Sequence, residues 1–257
     1  TVLGSGFARL MALSPDGRLV AFVGRGARGN QVFVRALADS IPRPVSGTEG
    51  AFVPVFSPDG REIAFWTPQQ RLLKVSVDGG TPLELAEDAG NVIAWMPDGA
   101  IVFADPTGHA LSVLAPGGAR RLIARSDTAA FLALTPLPGR RVLATLLSGS
   151  RNQTAVVAVS LKDGAMRDVG LHDVLMAKVV PRGYVVYQRR AGGALLAAPF
   201  DLRRLRESDT DDEIVSTLGE CPHRRLHRSG VAWFHITQND RKILGRAAYA
   251  LPRRRIE

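Results

Sequence analysis

Four carboxylates recur along this chain at nearly even spacing. Glu49, Asp88, Asp127 and Asp173 lie 39, 39 and 46 residues apart. Each stands in a polar stretch just ahead of an apolar run: Gly47-Thr48-Glu49-Gly50, Glu87-Asp88-Ala89-Gly90, Ser126-Asp127-Thr128 and His172-Asp173-Val174. Carboxylates brought together raise one another's pKa and draw in a cation or a basic group. Acids are also common turn residues, where each is simply solvated. Which of the two holds here depends on the elements that carry them.

Other residue patterns in the chain do less chemistry. Gly24-Arg25-Gly26-Ala27-Arg28-Gly29 matches the G-x-G-x-x-G of dinucleotide sites. Such a site needs a helix next, with its N-terminus on the pyrophosphate, whereas Asn30-Gln31-Val32-Phe33-Val34 reads as a strand. We therefore read a glycine-rich hairpin loop and no cofactor. Cys221, His223 and His227 offer one thiol and two imidazoles, short of the four ligands of a structural zinc site, so no metal is expected. There is no Gly-x-Ser-x-Gly elbow, and the five histidines share no spacing with a serine and a carboxylate. No catalytic residue is assigned.

The elements that must position the four acids are marked by a repeated turn. Ser14-Pro15-Asp16-Gly17 and Ser57-Pro58-Asp59-Gly60 stand in matching contexts, each preceded by an apolar residue and followed by a run ending in Ala-Phe. A third copy, Pro97-Asp98-Gly99, follows Trp95-Met96. A period near 40 residues with strand-turn-strand content predicts a β-propeller with one blade per repeat. Proline pre-sets φ for a tight turn, and glycine tolerates positive φ.

The units run over about 7–46, 50–86, 91–124, 129–170 and 174–218, with a partial unit at 231–257. We expect one domain over 1–257: an all-β, six-bladed propeller whose sixth blade is either incomplete or closed by residues 1–6. The polar stretch 203–230 breaks the pattern. Glu213–Leu218 fits an outer strand for the fifth blade, and helix is allowed only over 201–213.

In such a fold the acid-bearing loops enter each blade's innermost strand and converge on one mouth of the central channel. The loops between second and third strands open on the same side. They carry Arg25, Arg28, Trp66, Arg71, His109, Arg151, Arg189 and Arg190. The expected face is an acidic centre with a basic, partly aromatic rim.

The 257 residues carry a net charge of +9, nearly all of it arginine scattered through every repeat. Scattering argues for a compositional cause and against nucleic-acid binding, which needs a basic patch. No run of 18 apolar residues spans a membrane. The single cysteine excludes an internal disulfide. A chain that begins at Thr1 without Met reads as a fragment or a processed product.

The apolar-Ser-Pro-Asp-Gly-x-x-apolar-Ala-Phe signature resembles the TolB-like, WD-repeat-like bacterial propellers. Val32-Phe33-Val34-Arg35-Ala36-Leu37 before Pro44-Val45-Ser46-Gly47-Thr48, and Ala197-Ala198-Pro199-Phe200-Asp201-Leu202, are similar to the C-terminal propeller of certain bacterial serine/threonine kinases. That resemblance implies a sensor or scaffold domain outside the cytoplasm, with a protein or small ligand as partner. No Val-Ala-Ile-Lys, His-Arg-Asp or Asp-Phe-Gly is present, so kinase chemistry would lie elsewhere in a parent protein. Two alternatives stand beside it: a free-standing periplasmic TolB-like propeller, and an enzyme with a metal site at the channel mouth.

Overall fold

In the computed structural model, residues 11–149, 152–180, 183–190, 195–203, 205–207, 231–238 and 241–248 are described. Two compact units are present, Thr1–Ser216 and Thr217–Glu257.

The first unit is a succession of five four-stranded antiparallel sheets. Blade one consists of β1 (Met11–Leu13), β2 (Leu19–Gly26), β3 (Gly29–Ala36) and β4 (Arg43–Pro44). Blade two has β5 (Phe52–Phe56), β6 (Glu62–Thr67), β7 (Arg71–Ser76) and β8 (Leu83–Ala86). Blade three has β9 (Ile93–Trp95), β10 (Ile101–Ala104), β11 (Ala110–Leu114) and β12 (Arg120–Arg125). Blade four has β13 (Ala129–Leu137), β14 (Arg141–Ser148), β15 (Gln153–Ser160) and β16 (Met166–His172). Blade five has β17 (Val174–Val180), β18 (Tyr184–Arg189), β19 (Leu195–Asp201) and β20 (Arg206–Glu207). The first strand of each blade packs against the first strand of the next, so these strands are innermost.

The expected six blades are corrected to five. The second unit contributes a two-stranded hairpin, β21 (Val231–Gln238) with β22 (Arg241–Ala248), half the complement of a blade. Residues 1–6, expected to close a sixth blade, lie outside the described residues. The fifth blade's outer strand is Arg206–Glu207, ahead of the 213–218 segment assigned to it, which also lies outside them. Asp201 ends a strand and is followed by a turn and β20, where helix was allowed. The physical reason is that an outer strand two residues long leaves no alternating pattern to read.

A lone sheet cannot bury both faces, and the core accordingly sits between blades. One cluster, with Ala21, Val34, Ile63 and Phe65, joins blades one and two. Leu72, Trp95, Ile101 and Phe103 belong to a second, between blades two and three. Val102, Leu111, Phe131 and Val142 are in a third, between blades three and four. Leu143, Val156, Val185 and Tyr187 are in the fourth, between blades four and five.

The Ser-Pro-Asp-Gly copies form the hairpins between first and second strands, and the first two are alike bond for bond. Gly17 N donates to Ser14 O at 2.9 Å and Gly60 N to Ser57 O at 2.9 Å, with φ of 70° and 73° at the glycines. Each serine hydroxyl donates to the aspartate two residues on at 2.6 Å, and each aspartate accepts the amide two residues beyond itself. The serine oxygen in turn accepts from Leu19 N and Glu62 N. These bonds favour the ionised carboxylate. The serine hydroxyl first, then the backbone amide, holds Asp16 and Asp59 below the usual aspartate range. In blade three Met96 replaces the serine, and Asp98 keeps only the bond from Ala100 N, at 3.2 Å.

Candidate functional site

Antiparallel strands alternate ends, so the Ser-Pro-Asp-Gly hairpins lie at one end of the blades. The loops entering β5, β9, β13 and β17 lie at the other, beside the hairpins between second and third strands. Glu49, Asp88, Asp127 and Asp173 are each exposed on those entry loops. The structure thus places the four acids on one face in successive positions. Among the described residues no three His, Cys, Asp or Glu side chains stand close enough to share a metal ion.

Each acid-bearing loop is tied by its backbone to the second-to-third-strand hairpin of the blade it leaves. Gly50 N donates to Asn30 O at 2.6 Å, Ala89 N to Gln70 O at 2.8 Å, Ser126 N to His109 O at 2.8 Å and Asp173 N to Thr154 O at 2.8 Å. Asp88 and Asp173 adopt φ of 51° and 54°, a left-handed conformation that aspartate tolerates better than most residues. For these two, turn geometry alone accounts for an acidic residue. Glu49 accepts from Gln31 Nε2 at 3.3 Å.

The rim residues divide by role. Trp66 donates its indole N–H to Ala89 O at 2.7 Å and packs edge-on to Phe52, with ring centroids 6.2 Å apart, so it braces the Asp88 loop. His109 Nδ1 lies 2.9 Å from Ser126 O and does the same for the Asp127 loop. Arg71 pairs with Glu84 at 3.2 Å and Glu87 at 3.8 Å. Arg190 donates to Asn152 O at 2.7 Å. Arg25 and Arg28 are exposed on the blade-one hairpin. That hairpin is the G-x-G-x-x-G segment, which forms a strand-turn-strand as read, with Gly29 at φ 110°. Arg151, Cys221, His223 and His227 lie outside the described residues.

One feature was missed from sequence. Six register shifts interrupt the strand ladders of the described residues, at Phe52/Val55, Leu72/Leu73, Leu111/Ser112, Phe131/Ala133, Ala155/Val157 and Val174/Met176. Every one lies at the acid-loop end of its strands; the Ser-Pro-Asp-Gly ends stay in register. At the first of them Val53 is held at φ 51°, a strained setting for a β-branched residue. Bulges kink a strand and re-aim its neighbours, and they gather at rims and beside sites. No residue type announces them, because they live in the backbone pairing.

Solved structures share this fold. It is a β-propeller. A nidogen/laminin complex contains a chain that aligns with a TM-score of 0.60 at 14% identity, over 77% of this chain and 77% of that one. A protein assigned as TolB from Agrobacterium tumefaciens aligns with a TM-score of 0.59 at 14% identity, over 76% and 78%. An oligogalacturonate lyase in complex with manganese aligns with a TM-score of 0.57 at 12% identity, over 94% and 76%. At such identities the likeness speaks for the fold alone. No family model matches the sequence, and no curated protein matches it. Among the described residues no helix is long and apolar enough to cross a membrane.

Proposed function

We propose that this chain is a non-catalytic recognition propeller whose partner face is the one carrying Glu49, Asp88, Asp127 and Asp173. The observation that carries this reading is the placement of all six register shifts at that end of the blades. Regular ladders build the scaffold, and irregularity is confined to the face that displays the acids and the arginine hairpins. A chain of this fold occurs in the nidogen/laminin complex, and by that analogy of fold we read the partner as a protein. The partner surface that suits four exposed acids is basic. In the whole protein the reading is a sensor or scaffold part of a receptor-like bacterial serine/threonine kinase, outside the cytoplasm.

A free-standing periplasmic TolB-like propeller fits the same geometry. An enzyme with a metal site at the channel mouth draws only on likeness in fold to the manganese-bound lyase. The reading frame upstream separates the first two: a kinase and a membrane span support the one, a signal peptide the other. Amide exchange of the full chain with and without hexalysine tests the recognition face. Protection gathered at 47–50, 87–90 and 126–128 supports it; protection elsewhere, or none, refutes it.

A further inference from the structure

An open groove of about 420 Å³ lies between blades two and three at the opposite end, among the Ser-Pro-Asp-Gly hairpins. Its floor is the mouth of the inter-blade core, formed by Trp95, Ile101 and Leu114, with Leu85 beside them. Its walls are three proline turns: Pro58 of blade two, and Pro97 and Pro116 of blade three. The volume is in the ordinary range for ligand clefts, about 300–1,000 Å³.

The charges around this floor are mostly negative, although the protein is strongly basic. Asp59, Glu62 and Asp98 line the groove with one cation, Lys74. Lys74 Nζ is held by both oxygens of Glu62, at 3.0 and 3.1 Å, so the ammonium is already neutralised. Asp98 is 42% exposed and its other contact is Arg140 at 3.2 Å, on a side chain 65% exposed, which screens it only weakly. Asp59 is fixed in its turn as a carboxylate by Ser57 and Arg61 N. An apolar floor between prolines, edged by fixed acids, selects a ligand with both an apolar and a cationic part.

The geometry points to a second binding surface on this propeller. We infer that the groove between blades two and three docks an extended segment of a partner protein in which an apolar side chain alternates with arginine or lysine. The apolar side chain sits over Trp95 and Leu114, and the cation meets Asp98 and Asp59. Proline walls are rigid before binding, so little ordering entropy is lost. This surface lies across the blades from the acid-loop face and does not depend on it.

The test uses the full 257-residue chain and three labelled hexapeptides, Gly-Arg-Leu-Arg-Leu-Gly, its Glu-for-Arg counterpart and its Ser-for-Arg counterpart, followed by fluorescence anisotropy. The arginine peptide should bind at least about five-fold more tightly than the serine peptide, since one charge pair near 4 Å is worth about that factor in water. The glutamate peptide should bind more weakly than either. Asp98→Asn should weaken the arginine peptide about five-fold, and Lys74→Gln should strengthen it by a similar factor. The opposite signs separate a binding role from simple loss of fold, and circular dichroism confirms that each variant is folded. Three results would each overturn the inference: equal binding of the arginine and glutamate peptides, no response to Lys74→Gln, or binding abolished by charge reversal at Glu49, Asp88 and Asp127 but not by Asp98→Asn. A concentration-dependent dimer that Asp98→Asn dissolves would assign the groove to a second copy, and would overturn it too.

Discussion

Phe103→Ala is the sharpest test of how the blades hold together. Phe103 is fully buried in the middle of β10, in the cluster shared by blades two and three. Truncating a buried phenylalanine removes its transfer free energy and leaves a cavity, together about 3–5 kcal/mol. The ring also carries the guanidinium of Arg120, 4.9 Å from its centroid, and that arginine is exposed. At an exposed site this contact adds about 0.5–1 kcal/mol. The expected loss is therefore about 3.5–6 kcal/mol, a large part of the 5–15 kcal/mol typical of a folded domain. Urea denaturation followed by far-UV circular dichroism measures it. In a thermal scan the same loss lowers Tm by about 7–24 °C, at about 2–4 °C per kcal/mol for a unit of this size. Arg120→Ala, alone and combined with Phe103→Ala, closes a cycle whose coupling should be about 0.5–1 kcal/mol. A loss below about 1.5 kcal/mol for Phe103→Ala would refute the inter-blade core as described.

Further outcomes follow from the turns. Asp16 and Asp59 are held below the usual aspartate range, so their stabilisation is present above the unfolded aspartate value and is lost as pH falls through the lower folded value. Urea midpoints should fall more below about pH 4 in the parent chain than in the Asp16→Asn, Asp59→Asn variant; equal slopes would contradict the turn bonds. Gly164 sits at φ +75°, and a Cβ there would collide with the carbonyl oxygen of Ile123 in blade three. Gly164→Ala should cost about 2–5 kcal/mol from the left-handed backbone plus overpacking. Gly118→Ala, at φ +87° with open space around it, should cost only about 1–2 kcal/mol.

The legible part of this molecule is whatever repeats through local chemistry. Pro15, Pro58 and Pro97 located three hairpins because proline and glycine each satisfy a specific φ, and the structure repeats the first two bond for bond. The shared face of the acid loops and the arginine hairpins followed from strand alternation alone. The blade count did not, because the strand-turn-strand pattern over 231–248 reads like the start of a blade, whereas among the described residues it forms only β21 and β22. The register shifts were silent, since they are properties of backbone pairing. Trp66 read as a rim aromatic, but its indole N–H is spent on Ala89 O, 23 residues away, a bond that no spacing rule foretells. The groove was hidden for a related reason. Its walls come from Pro58, Pro97 and Pro116, which meet only when two repeats pack, so a motif expected only to turn the chain also lines a cleft.

The central claim is that the face bearing Glu49, Asp88 and Asp127 recognises a basic partner. The direct measurement is hexalysine binding by isothermal titration to the full chain, to the variant with all three acids changed to lysine, and to a control with the same charge change at Asp39, Asp78 and Asp168. At about 1 kcal/mol for each charge contact, the acid-loop variant should lose at least about ten-fold in affinity, while the control stays within about two-fold. Equal losses in the two variants, or none in the first, would contradict the account.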